Sequence, residues 1–196
     1  MKTLLAVFLL STGSALALES GKPAPAFTAP SSTQKDVRLS DYRGKVVVLE
    51  WLNYGCPFVK KHYNGHGMQA LQKEFTDKGV VWLSVISSAE GKQGFSSPAE
   101  AERDRKENES HASSVILDKR GTLGRLYGAK TTPHMFVIDS NGVLAYQGAI
   151  DDKPSSDPAT LKNAHNYVRA ALDAVLAGRS PATSQTQSYG CSVKYE

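Results

Sequence analysis

A long apolar run that ends in a turn and a Cys-Pro pair constrains this chain more than any other segment. Residues 46–52 are apolar except for Glu50, which is typical of a buried strand. Asn-Tyr-Gly at 53–55 then predicts a turn, and Pro57, directly after Cys56, suits the first position of a helix. The sequence therefore predicts a cysteine at the N-terminus of a helix, at the carboxyl end of a buried strand.

This position gives Cys56 a specific chemistry. The unpaired N–H groups and the positive dipole end of a helix favour the thiolate, which is the nucleophilic form of cysteine. The alternative is an inert buried thiol, since cysteine is commonly buried. The succession of strand, turn, Cys-Pro and helix favours the reactive interpretation.

The rest of the sequence predicts alternating strands and helices. Residues 18–36 are rich in proline and read as irregular. Strands are predicted at 37–39, 45–51, 79–86, 114–117, 135–139 and 143–148, and helices at 57–63, 68–78, 97–107, 121–127 and 161–176. This order predicts an α/β protein with a central mixed β-sheet flanked by helices.

Four segments carry a resemblance to a known family. Residues 46–59 resemble the active-site segment of the thioredoxin-like superfamily, in its redoxin and peroxiredoxin-like branch of alkyl hydroperoxide reductase/thiol-specific antioxidant type. Residues 21–27 with 39–45 are similar to its lead-in, 131–139 to its cis-proline loop, and 190–195 to a cysteine-containing tail. The resemblance implies a thioredoxin-like redoxin domain at 18–178, followed by a C-terminal tail at 179–196.

The chain also departs from that family at informative positions. The second cysteine of a thioredoxin CxxC site is replaced by Val59, so CxxC dithiol chemistry is absent. Asn53 and Leu49 stand where a typical peroxiredoxin has a hydroxyl residue and a proline, and the usual arginine before the later strand is not evident. The Asn53 amide is a candidate substitute for the missing hydroxyl.

The resemblance implies roles for three further residues. Cys191 is the candidate resolving thiol for Cys56, the alternatives being a free thiol or a bond to another molecule. Because the tail is polar, we expect it to be mobile and able to bring Cys191 to the site. Thr132 and Pro133 are the candidate substrate-binding residues, joined by a cis peptide bond in a loop against the nucleophilic sulfur.

Glu50 lies six residues before Cys56, an offset at which thioredoxins place a buried acid that moves protons. If Glu50 is buried, its pKa should be raised, which suits a general base. If it lies near the strand end and reaches solvent, it has no such role. The sequence leaves both interpretations open.

The N-terminus and the composition bear on location. Lys2, an apolar core at 4–10 and Ala-Leu-Ala at 15–17 predict a cleaved signal peptide over residues 1–17, and the core is too short for a transmembrane anchor. Export, to the bacterial periplasm, implies an oxidising compartment. The formal net charge of +4 is scattered along the chain and does not predict nucleic-acid binding.

No cofactor or metal is predicted. A Gly-rich phosphate loop is missing, and His62 and His66 are a weak case for copper because soft metals usually need more sulfur. The expected partners are a thiol reductant, a disulfide-bearing protein or a peroxide, with no membrane span. The leading function is a thiol-dependent oxidoreductase; the alternatives are a non-catalytic binding module such as a copper carrier, and an adaptor domain.

Overall fold

The computed structural model describes residues 18–196, so the predicted signal peptide at 1–17 lies outside the described residues. The strands are β1 (Thr28–Pro30), β2 (Asp36–Arg38), β3 (Val47–Trp51), β4 (Val81–Ile86), β5 (Ser114–Leu117), β6 (Thr131–Thr132), β7 (His134–Ile138), β8 (Leu144–Gly148) and β9 (Cys191–Ser192). The α-helices are α1 (Pro57–Asn64), α2 (Gly67–Asp77), α3 (Pro98–Glu107), α4 (Thr122–Leu126) and α5 (Tyr167–Leu176). The helices within 18–196 include none that is long and apolar enough to span a membrane.

A mixed five-stranded sheet forms the centre of the molecule. Its order is β5-β4-β3-β7-β8, with β3, β4 and β5 parallel and β7 and β8 antiparallel to their neighbours. The two short pairs β1-β2 and β6-β9 lie outside this sheet. The predicted α/β class with a central mixed sheet is confirmed.

Both faces of β3 are buried, which explains its apolar run. Val48 packs with apolar side chains of α1, α2 and α5 on one face, and the alternate residues Val47 and Leu49 pack with β2 and α4 on the other. Glu50 shares the face of Val48, opposite Ser84 of β4 in the strand register. One carboxyl group is therefore held inside an apolar layer, on the side of the sheet that also contains Cys56.

Two local predictions are confirmed and one is wrong. The break after α1 is present, with His66 in the left-handed region at φ 55° before α2. The helix predicted from residue 97 is present as α3, and Ser97 and Glu100 form a capping box at its start. Residues 18–36 are not entirely irregular, because Ala29 of β1 pairs with Val37 of β2 and both side chains are buried in the core.

Candidate active site

Cys56 is the N-cap residue of α1, with Pro57 at the first helical position, as predicted. Its backbone N–H donates to the Asn53 carbonyl at 2.9 Å, which closes the turn after β3. The side chain has 0% exposed area and belongs to the main core cluster. The nucleophile is thus fixed by a strand and a helix that are both part of the core.

The Thr132–Pro133 loop lies directly against the Cys56 sulfur. The peptide bond between these residues is cis, as the resemblance implied. The Cys56 thiol donates to the Thr132 carbonyl at 3.2 Å. The Thr132 side chain also helps to lower the pKa of Cys56, although within residues 18–196 its buried hydroxyl has no well-aligned hydrogen-bond partner. Thr132 therefore presents both a carbonyl and an uncommitted hydroxyl beside the reactive atom.

The C-terminal tail crosses this loop and brings the second cysteine to the first. Strand β9 pairs antiparallel with β6, placing Cys191 opposite Thr132 and Ser192 opposite Thr131. The two thiols are both free and lie close enough for each to affect the pKa of the other. The structure therefore brings together Cys56, Cys191, Thr132 and Pro133, four of the five residues that the sequence analysis selected.

The tail is docked on the core by several hydrogen bonds besides those of β9; its predicted mobility stays a prediction. The Thr186 hydroxyl accepts from the Ala149 N–H at 2.9 Å, Val193 N–H donates to the Lys130 carbonyl at 3.0 Å, and the Tyr195 hydroxyl donates to the Ala129 carbonyl at 2.8 Å. These contacts are made by backbone groups and a few polar side chains, so the low apolar content of the tail gave no indication of them.

The pKa values of the two thiols shift in opposite directions. Burial opposes ionisation of Cys56, but hydrogen bonds from Cys191 and the Val59 N–H, together with the nearby Thr132 hydroxyl, outweigh it, so the pKa of Cys56 is lowered. Burial raises the pKa of Cys191 to about 11, helped by its hydrogen bond to Cys56 and by the charge there. Cys56 is therefore the more acidic thiol of the pair, and Cys191 is the one that donates when Cys56 ionises.

Glu50 is buried, with 0% exposed area, which decides between the two interpretations left open by the sequence. Its carboxylate accepts from Trp82 Nε1 at 2.7 Å, from the Tyr63 hydroxyl at 2.9 Å and from Gln72 Nε2 at 3.0 Å. Burial raises the pKa of Glu50, and these hydrogen bonds oppose the rise. A buried acid with a raised pKa lies on the Cys56 side of the sheet; its part in proton transfer stays a prediction.

Asn53 does not replace the missing hydroxyl in the way the sequence suggested. Its Oδ1 accepts from the Gly55 N–H at 2.8 Å, and its Nδ2 lies 3.4 Å from the Gln93 carbonyl as a weak donor. The amide therefore stabilises the turn that leads to Cys56. The polar side chain uncommitted at the sulfur is Thr132, which the motif comparison did not consider for this purpose.

The two histidines near Cys56 have different surroundings. His62 is buried 3.9 Å from Asp151 Oδ2, and burial lowers its pKa to about 4. His66 is exposed, 3.5 Å from Glu109 Oε2. In the part of the chain that the structure describes, no group of three His, Cys, Asp or Glu side chains could hold a metal ion. The geometry gives no support to a copper site built on these histidines.

A buried charged cluster beside the site was missed by sequence reasoning. The Lys61 side chain of α1 has 0% exposure, and its Nζ lies 3.4 Å from Asp151 Oδ2. The Tyr189 hydroxyl, from the tail, donates to the other Asp151 oxygen. Lys61 directly follows Lys60, which is exposed, so the sequence does not distinguish the buried lysine from the exposed one. The three residues are far apart in sequence, so no local pattern predicts their contact.

Comparisons with known proteins are consistent with this geometry. The family model described as AhpC/TSA family matches residues 20–147. A thioredoxin peroxidase from Echinococcus granulosus is 31% identical over 151 residues, which cover 68% of this chain and 72% of that protein.

Two solved structures show similarity over different shares of the chain. An uncharacterized conserved protein from Geobacillus kaustophilus gives a TM-score of 0.79 at 28% identity, covering 92% of this chain and 94% of its own. A putative thiol:disulfide interchange protein DsbE from Chlorobium tepidum gives 0.51 at 29% identity, covering 67% and 85%. The Geobacillus match extends over much more of the chain than the family match does.

Proposed function

Because this chain belongs to the AhpC/TSA family and is an oxidoreductase, we propose that it reduces oxidised sulfur through a Cys56–Cys191 dithiol–disulfide cycle. The observation that carries the proposal is the pairing of β9 with the cis-proline loop, which brings two free thiols together at Thr132. The expected resemblance to redoxins is confirmed at the level of the family. The disulfide as substrate and the two-cysteine cycle are the proposal.

The proposed cycle consists of two thiol–disulfide exchange steps. The Cys56 thiolate attacks one sulfur of a substrate disulfide, forming a mixed disulfide and releasing the other substrate sulfur as a thiolate. Cys191 then loses its proton and attacks the Cys56 sulfur, which releases the second substrate thiolate and leaves a 56–191 disulfide. Two electrons pass to the substrate, and an external dithiol reductant returns them.

Access to the sulfur is the main requirement of this cycle. Cys56 has 0% exposed area and lies under the loop and the tail, whereas Cys191 is partly exposed. A substrate disulfide therefore reaches Cys56 only when β9 moves away from β6. This pair comprises two residues on each strand, so local opening should be much easier than unfolding.

Trapping of the mixed disulfide tests the proposal. With dithiothreitol as reductant, wild type should catalyse reduction of insulin, the disulfide probe. Reduced Cys191→Ser, mixed with insulin after the dithiothreitol has been removed, should accumulate a covalent adduct at Cys56 visible by mass spectrometry. Cys56→Ser is the control and should form no adduct at Cys191. Absence of any adduct on Cys191→Ser, in a folded protein, would contradict disulfide exchange and support a non-catalytic domain.

Peroxide reduction is a second candidate, favoured by the Thr132 hydroxyl. This group is buried and uncommitted beside Cys56, where it could donate to a peroxide oxygen. The named relatives include a thioredoxin peroxidase. In Cys191→Ser, hydrogen peroxide should then convert Cys56 to a sulfenic acid that a dimedone probe captures, and Thr132→Val should slow this conversion by about tenfold. If sulfenic acid forms equally fast in Cys191→Ser with and without Thr132→Val, the Thr132 hydroxyl has no part in the mechanism.

We propose, finally, that the protein works outside the cytoplasm. Support comes from the sequence of residues 1–17, with its basic start, apolar core and small-residue end. N-terminal sequencing of protein recovered from the periplasm of an expressing bacterium should begin at Leu18. Recovery of protein that retains Met1 in the cytoplasmic fraction would contradict export.

A further inference from the structure

The buried charged cluster has no part in the proposed electron transfer, yet it is costly to build. Lys61 and Asp151 have side chains with 0% and 1% exposure. Lys61 Nζ donates to the Lys153 carbonyl at 2.8 Å and lies 3.4 Å from Asp151 Oδ2. Burial of an ion pair brings a desolvation penalty that the attraction between the charges often fails to repay. The stability of the fold alone therefore does not account for this buried pair.

Tyr189 connects this cluster to the tail. Its hydroxyl donates to Asp151 Oδ1 and accepts from Lys61 Nζ at 3.4 Å. The ammonium lies 5.4 Å from the centre of the tyrosine ring. The ring also packs edge-on against Phe58, with centroids 5.9 Å apart. One side chain of the tail thus contacts both charges and the first turn of α1.

The position of Tyr189 in the chain relates this contact to both cysteines. Tyr189 comes two residues before Cys191, and Phe58 comes two residues after Cys56. Gly190, between Tyr189 and Cys191, has φ +133°. It lies so close to the Thr132 carbonyl that a Cβ at this position would collide with it. Strand β9 itself is only two residues long. The hydrogen bonds between β6 and β9 alone therefore restrain Cys191 only weakly, and the contacts of Tyr189 restrain the tail at a second point next to it.

We propose that Tyr189 is a positioning residue, held by the buried Lys61–Asp151 pair, which keeps Cys191 over the Cys56 sulfur and limits access to that sulfur. This inference rests on the proposed two-cysteine cycle. The Tyr189 side chain does not touch the reacting atoms in this role. It sets how often the tail leaves the loop and how quickly Cys191 attacks once Cys56 is oxidised.

Two rates measured in one variant test the proposal. Tyr189→Phe keeps the ring against Phe58 and removes the hydroxyl bound to the charged pair. Hydrogen peroxide oxidises Cys56 to the sulfenic acid with release of water, and attack by the Cys191 thiol releases a second water and forms the disulfide. The second step, followed by quenched mass spectrometry, should slow about tenfold in Tyr189→Phe. Alkylation of reduced Cys56 by a bulky maleimide should become faster by a similar factor.

Tyr195→Phe is the matched control, because it removes one tail hydroxyl that donates to the backbone carbonyl of Ala129 rather than to a buried charge. Its disulfide-forming rate should stay within about twofold of wild type. Circular dichroism melts of both variants establish whether they are folded.

The outcomes separate this inference from the function on which it rests. If wild type forms no 56–191 disulfide with either hydrogen peroxide or insulin as oxidant, the proposed cycle fails. If wild type forms it and folded Tyr189→Phe forms it equally fast, Tyr189 is not a positioning residue. Equal slowing in Tyr189→Phe and Tyr195→Phe would also overturn the inference, since any loosening of the tail would then suffice.

Discussion

The two cysteines are held by segments of very different construction. Cys56 sits between β3 and α1, and its side chain is part of the core. Cys191 belongs to a two-residue strand at the end of the chain, fixed by β6 and by side chains on either side of it. One thiol is placed by the rigid centre of the fold, and the other by a segment that can leave without unfolding that centre.

This difference matches the order of the proposed chemistry. The pKa of Cys56 is lowered, despite burial, partly by the hydrogen bond from Cys191. The pKa of Cys191 is raised to about 11 by burial, its hydrogen bond to Cys56 and the charge there. Oxidation of Cys56 removes that charge, so the second thiol becomes easier to ionise only after the first has reacted. The pair is thus arranged to react in sequence.

The largest expected effect comes from removal of the fixed thiol. Cys56→Ser should reduce turnover to background, a loss of about 10³-fold or more, because no other group can form the mixed disulfide. Cys191→Ser should keep the first step and stall after it. Burst-phase kinetics with a fluorescent disulfide peptide measure both steps. Full turnover by Cys191→Ser would show that the tail thiol is dispensable and that an external thiol resolves Cys56.

The next effect concerns the charged cluster that anchors the tail. Lys61→Met should lower the free energy of unfolding by about 3–5 kcal/mol, because Asp151 is left as a buried charge without its cation. Lys73→Met is the matched control: Lys73 pairs with Asp77 at 2.8 Å on the exposed side of α2, and its loss should change stability by about 0.5 kcal/mol or less. Urea denaturation measures both. Similar losses in the two variants would mean that the buried pair has no special weight.

Gly190 tests the tail itself. Gly190→Ala should weaken the local docking by about 1–3 kcal/mol, since its φ is +133° and the new Cβ meets the Thr132 carbonyl. Limited proteolysis should then cut the tail on the order of tenfold faster, while the core stays folded. Gly178→Ala, at φ +69° with open space around it, is the control before the tail. A tail equally resistant in both variants would contradict close packing of Gly190 on the loop.

The same contrast separates what the sequence could predict from what it could not. The site around Cys56 follows from neighbouring residues: an apolar strand, a turn and a Cys-Pro helix start are all readable within a dozen positions. The placement of Tyr189 depends on Asp151, 38 residues earlier, and on Lys61, 128 residues earlier. The sequence of a polar tail without periodicity does not predict which distant residues it contacts.

Glu50 lies between these extremes. The offset from Cys56 identified it, and the apolar strand favoured its burial. Whether the carboxyl could be satisfied there depended on Trp82 and Gln72, which arrive from β4 and α2. The position of Glu50 along the strand was therefore predictable from the sequence, but its environment was not. The mixed sheet was also predictable, because apolar strand patterns and turn signals are local.

A smaller effect is expected from Glu50→Gln, which should change how the free energy of unfolding depends on pH. Burial raises the pKa of Glu50 in the folded state, so its contribution to stability is largest below the unfolded value of about 4.3 and declines as pH rises through the folded pKa. The amide cannot titrate. The stability of wild type minus that of Glu50→Gln should therefore fall from pH 4 upward, as measured by urea unfolding. A difference that is constant or grows with pH would contradict a raised pKa.

The smallest and most specific effect concerns the hydrogen bond between the two thiols. If Cys191 stabilises the Cys56 thiolate by donating to it, Cys191→Ala should move the midpoint of Cys56 alkylation to higher pH. Cys191→Ser keeps a donor at the same place, so its midpoint should stay nearer that of wild type. Iodoacetamide, which is small, limits the influence of access through the loosened tail, and the midpoint rather than the maximal rate is compared. Loss of the tail contact would shift both variants alike, whereas loss of the donor shifts only the alanine. Equal midpoints in all three proteins would mean that helix α1 and Thr132 alone set the acidity of Cys56, and that the tail supplies a thiol without tuning the nucleophile.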